Sequence, residues 1–173
     1  MDVLTDFLLP IIPAILVFAT AYFFFDRMRK DHKQDMQIFQ KISLTKETIP
    51  LRLKAVERLT IMLERIKPSD MVMRNGTGTK SGAQLQLELL GNIRDEFEHN
   101  VSMQIYVSPV TWLKVQKAKD DTVELIRVAA SQAGQESGAL QLSRIIFDLE
   151  GKTGNAAIKD AIVHLRAEAA KVM

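Results

Sequence analysis

The hydrophobic pattern of the chain changes sharply near residue 26. Residues 7–25 are uncharged and almost wholly apolar, and as an α-helix they would extend about 28 Å, close to the hydrocarbon thickness of a bilayer. Beyond them, apolar residues recur at helical spacing among charged ones. The pattern predicts an all-α protein: a transmembrane anchor at 1–27, a juxtamembrane stalk helix at 28–47 and a helical domain at 48–173.

The first half of the predicted domain has clear helix boundaries. Pro50 would stop the stalk and lie in the first turn of a helix whose apolar stripe runs to Ile66 and which ends at Lys67-Pro68. The Asn, Gly, Ser and Thr content of residues 69–81 predicts a loop. Ser81 and Gln84 match a capping box for a helix that runs to about Asn100. Gly91, in the middle of this helix, would permit another helix to cross closely.

The second half contains one segment without helical spacing. Residues 101–107 alternate apolar and polar, but the chain offers no partner strand. We therefore predict an extended connector that buries the apolar residues Val101, Met103, Ile105 and Val107. Ser108-Pro109 then begins a helix that runs to Gly134, and two more helices follow, at about 137–150 and from near Asn155. The prediction is a bundle of four or five helices.

The charges flanking the apolar run predict its orientation. The only charged residues before position 27 are Asp2, Asp6 and Asp26, whereas cations follow directly at Arg27, Arg29, Lys30 and Lys33. By the positive-inside rule, the N-terminus faces out and the domain lies in the cytoplasm, with these four cations near lipid headgroups. The alternative is a cleaved secretory signal, because Ala19-Thr20-Ala21 fits a cleavage site. Such a signal carries cations before its apolar run, however, and this chain has none there. The favoured location is therefore the inner membrane.

Two prolines within the apolar run leave two interpretations open. Pro10 and Pro13 each remove a backbone donor. If Pro10 lies in the first helical turn, the missing donor is one that a helix leaves unpaired anyway. Alternatively, neighbouring helices satisfy the freed carbonyls, and the span then packs inside a larger membrane assembly.

Composition narrows the functional classes. The chain has no Cys, which excludes disulfides, thiolate metal sites and a thiol nucleophile. Its net charge is +2 with both signs interspersed, unlike the clustered cations of a nucleic-acid-binding surface. We therefore expect no nucleic-acid partner.

Two short motifs resemble catalytic or ligand sites without completing them. Residues 76–81 resemble a phosphate-binding loop, but Thr79 precedes Lys80 where that motif needs Gly. Glu96 and His99 have the Glu-x-x-His spacing of di-iron bundles, which need two such motifs and two further Glu residues. Asp160 and His164, four apart, are a poor substitute for the second motif. We expect no enzyme activity, no cofactor, no metal and no small-molecule substrate.

Several stretches resemble a family of small uncharacterised bacterial proteins with one N-terminal membrane helix. They are Leu51-Arg-Leu-Lys-Ala-Val-Glu-Arg-Leu59, Leu63-Glu-Arg-Ile66, Arg94-Asp-Glu-Phe-Glu-His-Asn100, Gln104-Ile-Tyr-Val-Ser108, Trp112 and Ala118-Lys119. The resemblance covers almost the whole chain and implies membrane anchoring and a helical cytoplasmic part. It carries over no catalytic residues.

The resulting hypothesis is a non-enzymatic accessory or scaffold subunit of a bacterial inner-membrane protein complex. Its expected partners are the lipid bilayer and an integral membrane complex. The candidate partner-binding residues are Pro10, Pro13, Glu96, His99, Asn100, Tyr106 and Trp112. The alternatives are a homo-oligomeric organiser that binds anionic lipid through the cations after the span, and a metal- or nucleotide-dependent enzyme.

Overall fold

The structure, a computed structural model, describes residues 18–20, 22–25, 27, 48–134 and 136–171. The chain forms two compact units, Met1–Thr48 and Ile49–Met173. Across the described residues, no helix has both the length and the apolar character to cross a membrane. Most of the predicted span lies outside the described residues, including Pro10 and Pro13, as do the predicted stalk at 28–47 and the cations Arg29, Lys30 and Lys33.

The described residues of the first unit are helical and present aromatic side chains outward. Phe18 and Phe23 are each 77% exposed, and the neighbouring rings are exposed as well. The rings of Phe24 and Phe25 meet edge to face with centroids 6.5 Å apart. Arg27 is helical and exposed. This short stretch therefore offers an aromatic surface, with the cation Arg27 two positions after Phe25.

The second unit is all-helical in its described residues, which confirms the predicted all-α class, but it has six α-helices and a 3-10 helix where four or five helices were predicted. The first helix, α1, occupies residues 49–65 of this unit. The others are α2 (Pro68–Asn75), α3 (Gly82–Asn100), the 3-10 helix η1 (Val101–Tyr106), α4 (Pro109–Ala133), α5 (Ala139–Thr153) and α6 (Ala156–Ala170). Helix α4 packs against α3, α5 and α6, while α2 packs against α5 and α3.

The apolar stripes predicted from sequence form the core of this unit. Leu59, Leu63 and Ile66 of α1 are fully buried, and each such side chain contributes about 1.5–3 kcal/mol to stability. On α4 the buried stripe includes the small residues Ala118 and Ala129, which let three helices approach one central helix. The core therefore follows helical spacing, as predicted.

The predicted loop at 69–81 is wrong in its first half, because α2 occupies Pro68–Asn75. Pro68 begins this helix, at a position where a missing backbone donor costs nothing. Met71 and Val72 are buried in the core, and their burial outweighs the loop-forming composition around them. Apart from the cap residue Ser81, only residues 76–80 of the predicted loop lack helical structure.

The predicted extended connector at 101–107 is also wrong, since Val101–Tyr106 form a 3-10 helix. Val101 and Ile105 are 38% and 73% exposed, whereas Met103 and Val107 are half-buried. A strand without a partner would leave backbone groups unpaired, and a 3-10 helix pairs them locally. With three residues per turn it also aligns Met103 with Tyr106, which replaces the predicted two-residue alternation.

A backbone bridge joins the two interhelical turns at one end of the bundle. Ser81 and Gly138 form an isolated antiparallel bridge. The amide of Gly82 donates to Ser137 O at 2.7 Å, and the amide of Ala139 donates to Lys80 O at 3.1 Å. A Cβ on Gly82 would lie 2.9 Å from Ser137 O, so this approach requires glycine. By contrast, nothing lies within 4 Å of a Cβ on Gly91, and the close crossing predicted there is wrong.

Candidate functional site

The predicted partner-binding residues of the domain lie on different faces of α3 and beyond its C-terminus. Glu96 and His99 line a cleft that α3 forms with α1 and α2. Trp112, on α4, stacks instead on Phe97, with ring centroids 5.5 Å apart. Asn100 is buried, and Tyr106 ends η1. The structure therefore separates a polar cleft, which contains Glu96 and His99, from the stacked Phe97–Trp112 pair, whose Phe97 ring lines a second, aromatic groove.

The polar cleft has a volume of about 430 Å³ and a balanced charge. Arg65 Nη2 lies 2.8 Å from Glu96 Oε1, and Arg74 donates to the backbone carbonyl of Arg65. Asn92 Nδ2 donates to Asn75 Oδ1 at 3.0 Å. The lining residues are Arg65, Met71, Arg74, Asn75, Asn92, Asp95, Glu96 and His99. Two cations and two carboxylates give the cleft no strong preference for an anion or a cation.

Asn100 stabilises the end of α3 and is not open to a partner. Its Nδ2 donates to Glu96 O at 2.8 Å, and its Oδ1 accepts from Arg58 Nε at 3.1 Å. Arg58 Nη2 also donates to His99 O at 3.0 Å. A guanidinium that satisfies the last carbonyls of a helix is favoured by the helix dipole. The structure therefore assigns Asn100 a role in joining α1 to α3.

The aromatic groove lies between α3 and α4. Lys119 Nζ lies 5.0 Å from the centroid of the Phe97 ring, whose other contact is Trp112. The groove has a volume of about 430 Å³, and exposed Arg94 and Arg127 also line it. Cation–π and stacking contacts of this kind hold the two helices together. Trp112 itself does not line the groove; it is half-buried, and its stacking on Phe97 gives the ring a structural role.

A buried carboxylate that the sequence analysis missed joins three helices at the other end of the bundle from the Ser81–Gly138 bridge. Glu168, 5% exposed on α6, accepts from Thr111 Oγ1 at 3.0 Å and pairs with Arg52 Nη2 at 3.1 Å. Arg52 Nε also donates to Tyr106 O at 3.3 Å. Hydrogen bonding from Ser108, and then from Thr111, lowers the pKa of Glu168 although burial opposes this shift. The sequence contains one indication of this burial, because Glu168 falls on the apolar face of α6 that contains Leu165.

A second buried carboxylate, Glu150, caps a helix from a distance. Its Oε2 accepts from Ser69 N at 2.8 Å and its Oε1 accepts from Ser69 Oγ at 3.1 Å. Ser69 lies in the first turn of α2, whose own N-cap residue, Lys67, makes no side-chain cap. Asn155 Nδ2 also donates to Glu150. Helix α5, on which Glu150 lies, extends past its predicted end near residue 150 to Thr153, with Gly154 as its C-cap, where φ is 61°.

A mainly apolar groove of about 350 Å³ lies between α4, the end of α5 and the start of α6. Leu125, Val128 and Leu149 contribute apolar side chains, and Asp121 and Glu124 lie at its edge. Leu125 falls at helical spacing with the buried residues of α4, but it is only half-buried, in this groove. Such a groove is suited to an apolar ligand or to side chains of a partner protein.

The acidic and histidine residues are not arranged as a metal site in the part of the chain that the structure describes. His164 Nδ1 lies 3.5 Å from Asp160 Oδ1, and the same carboxylate pairs with Lys114 Nζ at 2.8 Å. The hydrogen bond from Lys114 lowers the pKa of Asp160. Asp160 thus links α6 to α4 on the surface.

Comparison with known proteins identifies a family for the chain. A family model described as "Family of unknown function (DUF7935)" matches residues 2–172. The chain belongs to this family. No curated protein and no solved structure matches it. Because the DUF7935 match spans both units, the apolar N-terminal run and the helical domain belong to one family pattern.

Proposed function

We propose that this protein is a non-enzymatic accessory or scaffold subunit of an inner-membrane protein complex. In this proposal, one N-terminal helix anchors the chain, and the helical domain lies in the cytoplasm. The observation that carries it is the uncharged run at residues 7–25, followed after Asp26 by the cations Arg27, Arg29, Lys30 and Lys33. The resemblance to small bacterial proteins with one membrane helix supports the same location.

The exposed aromatic surface at residues 18–25 supports anchoring. Phe18, Tyr22, Phe23, Phe24 and Phe25 are all exposed in the described part of the first unit. Exposed apolar patches of this density are typical of surfaces that meet lipid or another protein. Aromatic residues just before a run of cations are also typical of a membrane–water interface.

The apolar groove of the helical domain supports a role in binding a protein partner. Its lining is mainly apolar, and Val128 stands at its surface. An anchored chain meets its partner at a high effective concentration, so a small contact area can suffice for binding. The groove is therefore our candidate contact surface in addition to the span.

Topology can be tested directly because the chain has no Cys. We expect a membrane-impermeant maleimide to label Asp2→Cys in intact spheroplasts. It should label Lys171→Cys only after the membrane is permeabilised. The reverse labelling would contradict the proposed orientation, and extraction of the protein by alkaline carbonate would contradict the anchor.

Partner binding can be tested by mild-detergent purification followed by native mass spectrometry. We expect the full chain to be recovered with other membrane proteins at fixed stoichiometry. Val128→Lys, in the groove, should reduce this recovery severalfold, whereas Val163→Lys, on the exposed surface of α6, should not. Recovery of the wild-type chain only as a free monomer would count against the proposal.

A further inference from the structure

Residues 75 and 76 form the only Asn-Gly pair in the chain, since Asn92, Asn100 and Asn155 all precede larger residues. An asparagine followed by glycine is especially prone to spontaneous deamidation, because glycine has no side chain to hinder its backbone nitrogen. Asn75 is the last residue of α2, and Gly76 is its exposed C-cap, with φ at 66°. The pair is therefore a candidate modification site.

Deamidation requires the backbone nitrogen of Gly76 to attack Cγ of Asn75. A bond forms between these two atoms, the nitrogen loses its proton, and the side-chain amide leaves as ammonia. Water then opens the succinimide ring at either of its carbonyls, which gives aspartate or isoaspartate without any oxidant or reductant. The reaction therefore needs a Gly76 amide that is free and an Asn75 side chain that is turned toward it.

The fold holds both reacting groups out of this geometry. The amide of Gly76 donates to Val72 O at 3.1 Å. Nδ2 of Asn75 donates to Met71 O at 2.8 Å, one turn back along the helix, so the side chain is directed away from Gly76. Oδ1 of Asn75 also accepts from Asn92 Nδ2 at 3.0 Å. While α2 is intact, the attack is therefore blocked.

The start of α2 depends on a contact from outside the helix. The helix has eight residues, and its N-cap residue, Lys67, makes no side-chain cap. Glu150 instead accepts from Ser69 N and Ser69 Oγ through its two oxygens. A helix this short is not stable without such tertiary contacts. Local opening of α2 would free Gly76 and Asn75 together, and it should set the rate of deamidation.

Conversion of Asn75 would change the polar cleft, which this residue lines together with Glu96 and His99. Two cations and two carboxylates line the cleft, so a third carboxylate would leave one excess negative charge. The new carboxylate would also face Met71 O, to which the amide now donates. It would lie at the C-terminus of α2, where the helix dipole disfavours negative charge. Both effects oppose the closed form of α2.

We propose that Asn75 is a deamidation site protected by α2, and that its conversion makes the polar cleft acidic and loosens α2. The co-reactant is water, and the released ammonia is lost, so modified molecules accumulate with time. A modified cleft would favour cationic side chains of a partner over anionic ones. This inference does not rest on the proposed anchor or on the proposed scaffold role.

The test follows deamidation of the full chain in mild detergent at mildly alkaline pH. Peptide mass spectrometry measures the gain of one mass unit at Asn75, and an isoaspartyl methyltransferase assay detects isoaspartate. We expect the folded chain to react more slowly than a synthetic peptide of residues 70–81, by about tenfold or more. Glu150→Ala should react severalfold faster than the wild type, whereas exposed Asp148→Ala should match it. Asn92, which precedes Ile93, should stay unmodified.

Three results would overturn parts of the inference. Equal rates in the folded chain and the peptide would exclude protection by α2. A rate in Glu150→Ala equal to that of the wild type would exclude control by the opening of α2. If this variant does not fold, Ser69→Ala, which removes one of the two hydrogen bonds, replaces it. Asn75→Asp, which represents the aspartate product, should increase hydrogen exchange in Pro68–Asn75, and unchanged exchange would exclude the loosening of α2.

Discussion

Two glycines illustrate how the surroundings of one residue decide its contribution to stability. Gly82 lies against the backbone of Ser137, while Gly91 faces open space on the same helix. The sequence alone suggested the opposite, because Gly91 interrupts a helix and Gly82 lies next to a cap. Only the fold places the turn after α4 against the start of α3, so the cause of glycine at position 82 is non-local.

Alanine should therefore have opposite effects at these two positions. Gly82→Ala would place a Cβ 2.9 Å from Ser137 O and should lower the free energy of unfolding by about 1–3 kcal/mol. Gly91→Ala should raise it by about 0.5–1 kcal/mol, since alanine loses less backbone entropy. Denaturant unfolding followed by the emission of the single Trp measures both. Shifts of the same sign in both variants would contradict the structure.

The buried Glu168 carboxylate should make stability depend on pH. Because its pKa is lowered in the folded protein, the unfolded chain takes up a proton first as the pH falls. Its contribution is complete above the ordinary value of 4.5 and is lost as the pH falls from there through the lowered pKa. Below that pH, the free energy of unfolding of Glu168→Gln should fall less steeply than that of the wild type. The exposed variant Glu124→Gln should follow the wild type. An unchanged pH profile in Glu168→Gln would contradict this role.

At the scale of elements, the local capping motif was predicted correctly, whereas a helix that depends on a distant residue was missed. The capping box at Ser81 and Gln84 is present as predicted, with both hydrogen bonds formed between residues three apart. Helix α2 was missed because its cap, Glu150, lies 81 residues away in the sequence. The candidate site gives a second example: Glu96 and Trp112 lie in one short stretch of the sequence, but helix α3 separates them in the structure.

Removing the distant cap should weaken α2 selectively. Glu150→Ala deletes the acceptors of Ser69 N and Ser69 Oγ, and it should lower the free energy of unfolding by about 1–2 kcal/mol. Hydrogen exchange should show the largest loss of protection in Pro68–Asn75. Asp148→Ala, at an exposed position on α5, the helix that carries Glu150, is the control. Protection in α2 that matches the control would show that Glu150 is not its cap.

At the scale of the whole molecule, the buried apolar cluster found among the described residues lies within the second unit. The buried apolar cluster extends from Leu59 to Leu165 and uses all six α-helices of that unit. A unit with its own core is expected to fold by itself. Residues 49–173 should therefore give a helical circular dichroism spectrum and a single cooperative unfolding transition. A broad, non-cooperative loss of signal would show that the preceding residues are needed for folding.

Because of the bridge between Ser81 and Gly138, two neighbouring turns differ in how well they should tolerate an inserted sequence. Residues 137–139 are tied to the start of α3 through their backbone, so an added sequence there would break both hydrogen bonds. Gly76 and Gly78 have no neighbouring atoms within 4 Å of an added Cβ, and Gly78 lies in an exposed turn. A fluorescent reporter inserted after Gly78 would leave both chain ends native. The protein could then be imaged in cells without disturbing the apolar N-terminal run.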